Sequence, residues 1–265
     1  MIVARLLVGT RGTFYAELRA GSDPSVFAPA TTAHILTAAP WLGGTLTGEQ
    51  IPLSACRFQV PVEPSKILGV GRNYRAHAAE LGNEVPKEPL WFYKPPSSLL
   101  AHEGTVALPK LSERVDYEAE IGVIIGKKVR NIGVSEALSA AFGYTLVCDI
   151  TARDLQKKDG QWARAKGFDG FCPTGPVIVT GLDPNLLDIS LQVNGVARQS
   201  GNTSDMVFDV ATLIARASEF CTLEPGDLIA TGTPAGVGPL SAGDSVIVAA
   251  PSIGELAFAV VGWEH

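Results

Sequence analysis

Three carboxylates pose the first chemical question. Glu118 and Glu120 stand two apart in Asp116-Tyr117-Glu118-Ala119-Glu120-Ile121-Gly122-Val123-Ile124-Ile125-Gly126, and Asp149 follows the apolar run Leu146-Val147-Cys148. Side chains alternate faces along a strand, so Asp116, Glu118 and Glu120 should share one face. Glu118 and Glu120 would then lie about 7 Å apart at Cα, for a rise of ~3.3 Å per residue. A Glu-x-Glu pair is ordinarily a solvated strand edge. Here the strand runs on into Val123-Ile124-Ile125, which reads as core, and Asp149 emerges from the end of a second apolar strand. Like charges gathered in an apolar region repel unless water or a cation screens them. All-oxygen ligands favour Mg²⁺, with Mn²⁺ or Ca²⁺ as alternatives, over zinc, which recruits His or Cys. Three protein oxygens leave a six-coordinate ion open positions for water and a substrate.

His77 and Glu80 form a second pair. They lie three residues apart in a segment that reads as a short helix, so they share a face. Such a pair is either an exposed surface contact or a base that deprotonates water, with Glu80 orienting the imidazole. Other chemistries lack their motifs. Gly69-Val70-Gly71 runs into Arg72-Asn73-Tyr74 and fails GxGxxG, and neither GxxxxGK[ST] nor GxSxG occurs.

The elements that must hold these residues are mostly strands. Thr145 to Cys148, Val177 to Thr180 and Leu228 to Thr231 are short apolar runs bounded by Gly or Pro. Asn194-Gly195 marks a hairpin over Leu191 to Arg198, and Ser245 to Ala249 with Leu256 to Val261 reads as a final strand pair. Asp209 caps a helix whose apolar face is Val210, Leu213, Ile214, Ala217 and Cys221. Ser135 is expected to cap another, running to about Ala141 and ended by Gly143. Residues 1–60 read as a small N-terminal α+β domain. Its strands are Ile2 to Val8 and Thr13 to Leu18, and a short helix over Thr32 to Ala38 is stopped by Pro40. Val60 to Pro64 is a stiff linker to a second domain, 61–265.

Composition narrows the partners. The 265 residues are 46% hydrophobic and 18% charged, with 28 glycines and 18 prolines scattered between apolar runs. That suits many short strands joined by tight turns around a large core, and a mixed α/β, predominantly β fold. A charged fraction below the roughly 25% of an average domain suits a chain that hides surface in an oligomer. Net charge is −6, and basic residues occur only as isolated pairs such as Lys127-Lys128, so a nucleic-acid partner is not expected. No apolar stretch reaches the ~20 residues of a membrane helix, and no signal peptide is read at the start. Cys56, Cys148, Cys172 and Cys221 form no CxxC pair and read as buried free thiols, which places the protein in the cytoplasm.

Four stretches, taken together, resemble the fumarylacetoacetate hydrolase family. They are Gly71 to Glu80 (GRNYRAHAAE), Asp116 to Glu120 (DYEAE), Cys148 to Gln156 (CDITARDLQ) and Thr231 to Gly238 (TGTPAGVG). Trp162 to Asp169 (WARAKGFD) and Phe171 to Pro176 (FCPTGP) lie between them, and the likeness runs from about residue 61 to the C-terminus. It implies a β-sandwich roll with surrounding helices, usually as a homodimer, and a divalent metal on Glu118, Glu120 and Asp149. It further implies that His77 and Glu80 sit on a lid that closes over substrate, with Gly82 and Pro86 as hinge material. Lys166 would place positive charge at a developing oxyanion, and Lys94, Gln156 and Thr233 would contact substrate. The expected activity is Mg²⁺-dependent hydrolysis of a C–C bond in an acylpyruvate-type 2,4-dioxo acid. Decarboxylation of an oxaloacetate-like acid, or isomerisation of a 2-hydroxy-dienoic acid, is the alternative on the same site.

Overall fold

Where the sheet is widest, its strands are apolar on both faces. In the computed structural model, which describes residues 1–19, 31–80 and 82–263, strand Ala119–Ile125 is buried at every position, as is Cys172–Val179. Strands of that kind need cover on both sides. They lie near the middle of a twelve-stranded mixed sheet. Its path runs Leu46–Pro52, Thr32–Leu36, Thr13–Leu18, Ile2–Val8, Cys172–Val179, Ala141–Cys148, Ala119–Ile125, Leu228–Ala230, Ile67–Gly71 and Leu90–Lys94.

A five-stranded sheet packs on it, in the order Val196–Asn202, Asp188–Val193, Ser245–Ala250, Gly254–Val261 and Gly104–Ala107. Here burial alternates, as in Gly254–Val261, because one face meets the core and the other does not. Thr151–Ala152, Val115–Tyr117 and Gly238–Pro239 make a small third sheet. The predominantly β roll with helices around it is therefore the observed architecture. Among the described residues, no helix is long and apolar enough to cross a membrane.

Local signals behave as physical chemistry dictates where the cause is local. Asn194 (φ 52°) and Gly195 (φ 74°) turn the hairpin between Asp188–Val193 and Val196–Asn202. Asp209 Oδ1 accepts from Thr212 N at 2.8 Å and opens the helix Val210–Phe220. The final pair is Ser245–Ala250 with Gly254–Val261.

Two expected helices are corrected. Thr32–Leu36 is a strand, paired on both sides with Thr13–Leu18 and Leu46–Pro52. Its Ala33 and Ile35 point inward between half-buried Thr32 and His34, a period of two that β-branched Thr32 and Ile35 favour. Pro40 begins a 3₁₀ turn, Pro40–Leu42. The helix expected from Ser135 starts at Val134 with Gly133 as its cap, ends at Ala137 and passes through a 3₁₀ turn. By Ala141 the chain is already strand. Gly143 ends no helix; it lies in Ala141–Cys148, where a Cβ would stand 2.7 Å from the Val179 carbonyl oxygen.

Residues 1–60 join the rest through hydrogen bonds. Ile2, Val3 and Ala4 pair with Val179, Ile178 and Val177, and Val62 of the expected linker is buried. The four cysteines are unpaired. Cys148 and Cys172 are buried as expected, whereas Cys56 and Cys221 are half-buried at the margins of the core.

Candidate active site

The carboxylates meet because two strands end together. Ala119–Ile125 and Ala141–Cys148 pair antiparallel, with Ala119 opposite Cys148 and Glu120 opposite Val147. One step beyond, Asp149 N donates to Glu118 O at 2.8 Å, so the ladder continues through the residues that matter. Oxygen atoms of Glu118, Glu120 and Asp149 all lie within 4.8 Å of one another. All three residues are buried.

Asp116 does not belong to that group of three oxygen ligands. Glu118 sits at a junction between Val115–Tyr117 and Ala119–Ile125, which belong to different sheets. Asp116 is buried apart from the cluster. Its oxygens accept from Arg114 Nε at 2.9 Å and Arg153 Nε at 2.9 Å.

Basic side chains surround the cluster. Lys166 Nζ donates to Glu118 Oε2 at 2.8 Å, Asp149 Oδ2 at 2.5 Å and Thr151 Oγ1 at 2.8 Å. It also stands 4.7 Å from the Phe92 ring centroid. Lys94 Nζ donates to Asp149 Oδ1 at 2.7 Å and to the carbonyl oxygens of Phe171 and Lys166. Arg153 Nη2 donates to Glu118 Oε1 at 2.6 Å. Glu120 differs from its neighbours. Its Oε2 accepts from Gly232 N at 2.8 Å, and among the described residues no basic side chain pairs with it. An all-oxygen set with one buried carboxylate that has no ion-pair partner among the described residues fits a divalent cation.

Electrostatics follow from that inventory. Burial, then the charges of Asp149 and Glu118, push the Glu120 carboxyl well above its ordinary range. Burial also raises Glu118, but Lys166 and Arg153 outweigh it and hold that carboxyl low. Burial lowers the Lys166 ammonium, yet Asp149 and Glu118 more than offset this, so it stays charged. For His77, burial is the largest influence and lowers the imidazole below its usual value. A neutral imidazole can accept a proton.

The acids open into a cavity of about 60 Å³ whose wall includes Glu118, Glu120, His77, Lys166, Gln156 and Thr233. Apart from the neighbouring Glu118 and Glu120, these side chains come from separate parts of the sequence. His77 rides on helix Arg75–Glu80, and its Nδ1 lies 3.5 Å from Glu80 Oε2. Both Glu80 oxygens accept from Gly236 N at 3.1 Å, which docks this helix on the glycine-rich loop. Asn73 anchors the approach to the helix, donating from Nδ2 to Thr231 O at 2.7 Å and Phe208 O at 3.0 Å. Gly232 (φ 99°) lies so close to this anchor that a Cβ there would stand 2.7 Å from Asn73 Cβ. Asp149 and Lys94 stand behind the cavity wall, with Lys94 bound to Asp149 and backbone.

Sequence reasoning missed several residues here. Arg153 lines the cavity and links Asp116, Glu118 and Gln156, whose Oε1 accepts from Arg153 Nη1 at 2.8 Å. It stands four residues after Asp149 and begins helix Arg153–Asp159, so its place in the CDITARDLQ stretch was the available signal. Arg72 and Trp162 also line the cavity. Arg72 holds φ at 57°, a conformation that side-chain-bearing residues seldom adopt.

Comparison with known proteins places the chain among relatives of one family. The family described as fumarylacetoacetate (FAA) hydrolase C-terminal matches residues 66–261. A 2,4-didehydro-3-deoxy-L-rhamnonate hydrolase of Sphingomonas sp. (strain SKA58) is 42% identical over 256 residues, 92% of this chain and 89% of that protein. The crystal structure of 2-hydroxyhepta-2,4-diene-1,7-dioate isomerase from Mycobacterium marinum superposes with a TM-score of 0.90 at 37% identity, covering 100% of both chains. Fumarylpyruvate hydrolase from Pseudomonas aeruginosa, solved in complex with Mn²⁺ and pyruvate, gives a TM-score of 0.72 at 35% identity over 77% of this chain and 91% of that one. Matched over most of its length, this chain belongs to the fumarylacetoacetate hydrolase family.

Proposed function

We propose that this protein is a Mg²⁺-dependent hydrolase that cleaves a C–C bond in an acylpyruvate-type 2,4-dioxo acid. The observation that carries the reading is the meeting of His77 with Glu118 and Glu120 at one cavity, with Asp149 clustered behind them and Glu80 beside His77. Glu118, Glu120 and Asp149 would hold the cation. When bound, it supplies the positive charge that polarises a 2-oxo carbonyl and steadies an enolate.

The chain's own residues do the remaining work. His77, neutral because it is buried, takes a proton from water. The hydroxide so formed adds to the 4-oxo carbon. The bond between C3 and C4 then breaks, its electron pair leaves with the pyruvate half, and a proton returned to C3 completes pyruvate and a carboxylic acid. Lys166 holds positive charge at the cavity wall, where oxyanions develop. Gln156 Oε1 is engaged by Arg153, which leaves its amide hydrogens free to meet a substrate oxygen.

Decarboxylation or isomerisation would need the enolate-stabilising groups but no base for water. The His77–Glu80 pair is therefore what favours hydrolysis. We also infer a cytoplasmic homodimer, supported by the unpaired cysteines and the low charged fraction. Light scattering would read a single-chain mass if the dimer is wrong.

The function is tested on metal-stripped protein with and without Mg²⁺, following acylpyruvate absorbance and CO₂ from oxaloacetate in parallel. Mg²⁺-dependent loss of acylpyruvate that disappears in His77→Ala supports the hydrolase. CO₂ release alone moves the assignment to a decarboxylase.

A further inference from the structure

Gln199 takes no part in the chemistry described so far, yet it is built into the site. In strand Val196–Asn202, at the edge of the five-stranded sheet, burial singles it out from exposed and half-buried neighbours. Its carboxamide ties three groups together. Oε1 accepts from Ala119 N at 2.9 Å, and Nε2 donates to Thr233 Oγ1 and to Pro234 O, both at 2.8 Å.

The direction of these bonds is forced. A backbone N–H can only donate and a carbonyl oxygen can only accept, so Ala119 and Pro234 together fix which end of the amide is oxygen. Thr233 Oγ1 must then accept from Gln199. Its own hydrogen is left to point elsewhere. Thr233 lines the cavity with Glu118, Glu120, His77 and Lys166, and among the described residues it has no protein acceptor for that hydrogen.

We propose that Gln199 is a positioning residue that locks the Thr233 hydroxyl as a donor into the cavity, so that the site selects a ligand presenting an oxygen acceptor there. The inference rests on the reading of the cavity as a 2-oxo acid site. The acceptor is then a carboxylate or keto oxygen of that acid. A hydroxyl free to rotate would serve donors and acceptors alike. A locked donor rejects a ligand hydroxyl or ammonium that must itself donate at that point.

A double-mutant cycle tests this, with oxalate binding to the Mg²⁺-loaded protein read by calorimetry. Thr233→Val should weaken oxalate by about tenfold or more, the loss of one hydrogen bond to a charged group. Gln199→Leu, which frees the hydroxyl to rotate among about three staggered positions without removing it, should cost a smaller, roughly threefold share of that loss. The double variant should bind no more weakly than Thr233→Val, because without the hydroxyl nothing is left for Gln199 to orient. Mg²⁺ affinity without oxalate should stay within about twofold of the wild type throughout. If Gln199→Leu fails to fold, Gln199→Glu keeps the acceptor for Ala119 N while turning the Thr233-facing atom into an acceptor. It should show the same non-additivity. Additive losses, unchanged oxalate affinity, or a loss of Mg²⁺ affinity as large as that for oxalate would each overturn the inference. Wild-type protein that binds no oxalate with Mg²⁺ would overturn the 2-oxo acid reading itself, and this inference with it.

Discussion

His77 and Glu120 are perturbed in opposite senses, and each perturbation has a pH signature. The imidazole must be neutral to take a proton, and burial lowers its pKa. The acid limb of kcat/KM should therefore fall below the ordinary histidine value of about 6.5. His77→Asn should lower kcat by roughly 10²–10⁴ while leaving Mg²⁺ affinity intact, as steady-state kinetics beside calorimetry would show. Glu120 has a raised pKa, so the folded metal-free protein keeps a proton that the unfolded chain releases. Stability of the metal-free protein should fall as pH rises from the unfolded carboxyl range through the raised one. Mg²⁺ binding in that window should release a proton, detected as a calorimetric enthalpy that varies with the ionisation enthalpy of the buffer. The acid cluster was legible because two of its members lie two apart at the start of an apolar strand and the third follows an apolar run. Asp116 lies outside the group, bound with Glu118 to the guanidinium of Arg153, and the sequence alone did not show that division.

At the scale of elements, the glycine-rich loop is the most sensitive part. Gly232→Ala would place a Cβ 2.7 Å from Asn73 Cβ and 3.1 Å from Val70 O, at a φ of 99°. The loop must shift, taking with it the N–H that binds Glu120 and the Thr233 hydroxyl. Activity should drop by at least about 10² while thermal unfolding remains a single transition, measured by assay and calorimetry on one sample. The helix Val210–Phe220 offers a contrast. Asp209→Ala removes a cap that does not line the cavity and should cost about 1 kcal/mol of unfolding free energy in a denaturant titration, with kcat unchanged. That helix and the Asn194-Gly195 hairpin were readable because cap and turn are decided by a few adjacent residues. The strand Thr32–Leu36 was not, because its state is set by pairing with Thr13–Leu18 and Leu46–Pro52 on either side. Gln199 was hidden for a similar reason. It reads as an ordinary polar hairpin residue, and its partners lie 80 and 34 positions away.

For the whole molecule, the site and the core are one structure. Ala119, Ile121 and Cys148, which flank the three clustered acids, lie in the same buried apolar cluster as the inward side chains of the second sheet. Mg²⁺ at about one hundred times its Kd should stabilise the native state by about 2.7 kcal/mol. For a domain near this size that is a rise of roughly 5–10 °C in Tm, reversed by chelation. The central sheet also has a consequence for how the protein is made. Leu228–Ala230 lies between Ala119–Ile125, to which it is antiparallel, and Ile67–Gly71, to which it is parallel. Until a ribosome has delivered residue 230, those two earlier strands have no partner between them, and their apolar edges stand open to other nascent chains. The stretch that closes this gap continues directly into Thr231, Gly232 and Thr233. Completion of the sheet and arrival of the loop that roofs the cavity are thus one late event in biosynthesis, and a chain stalled before it should be both inactive and dependent on chaperones.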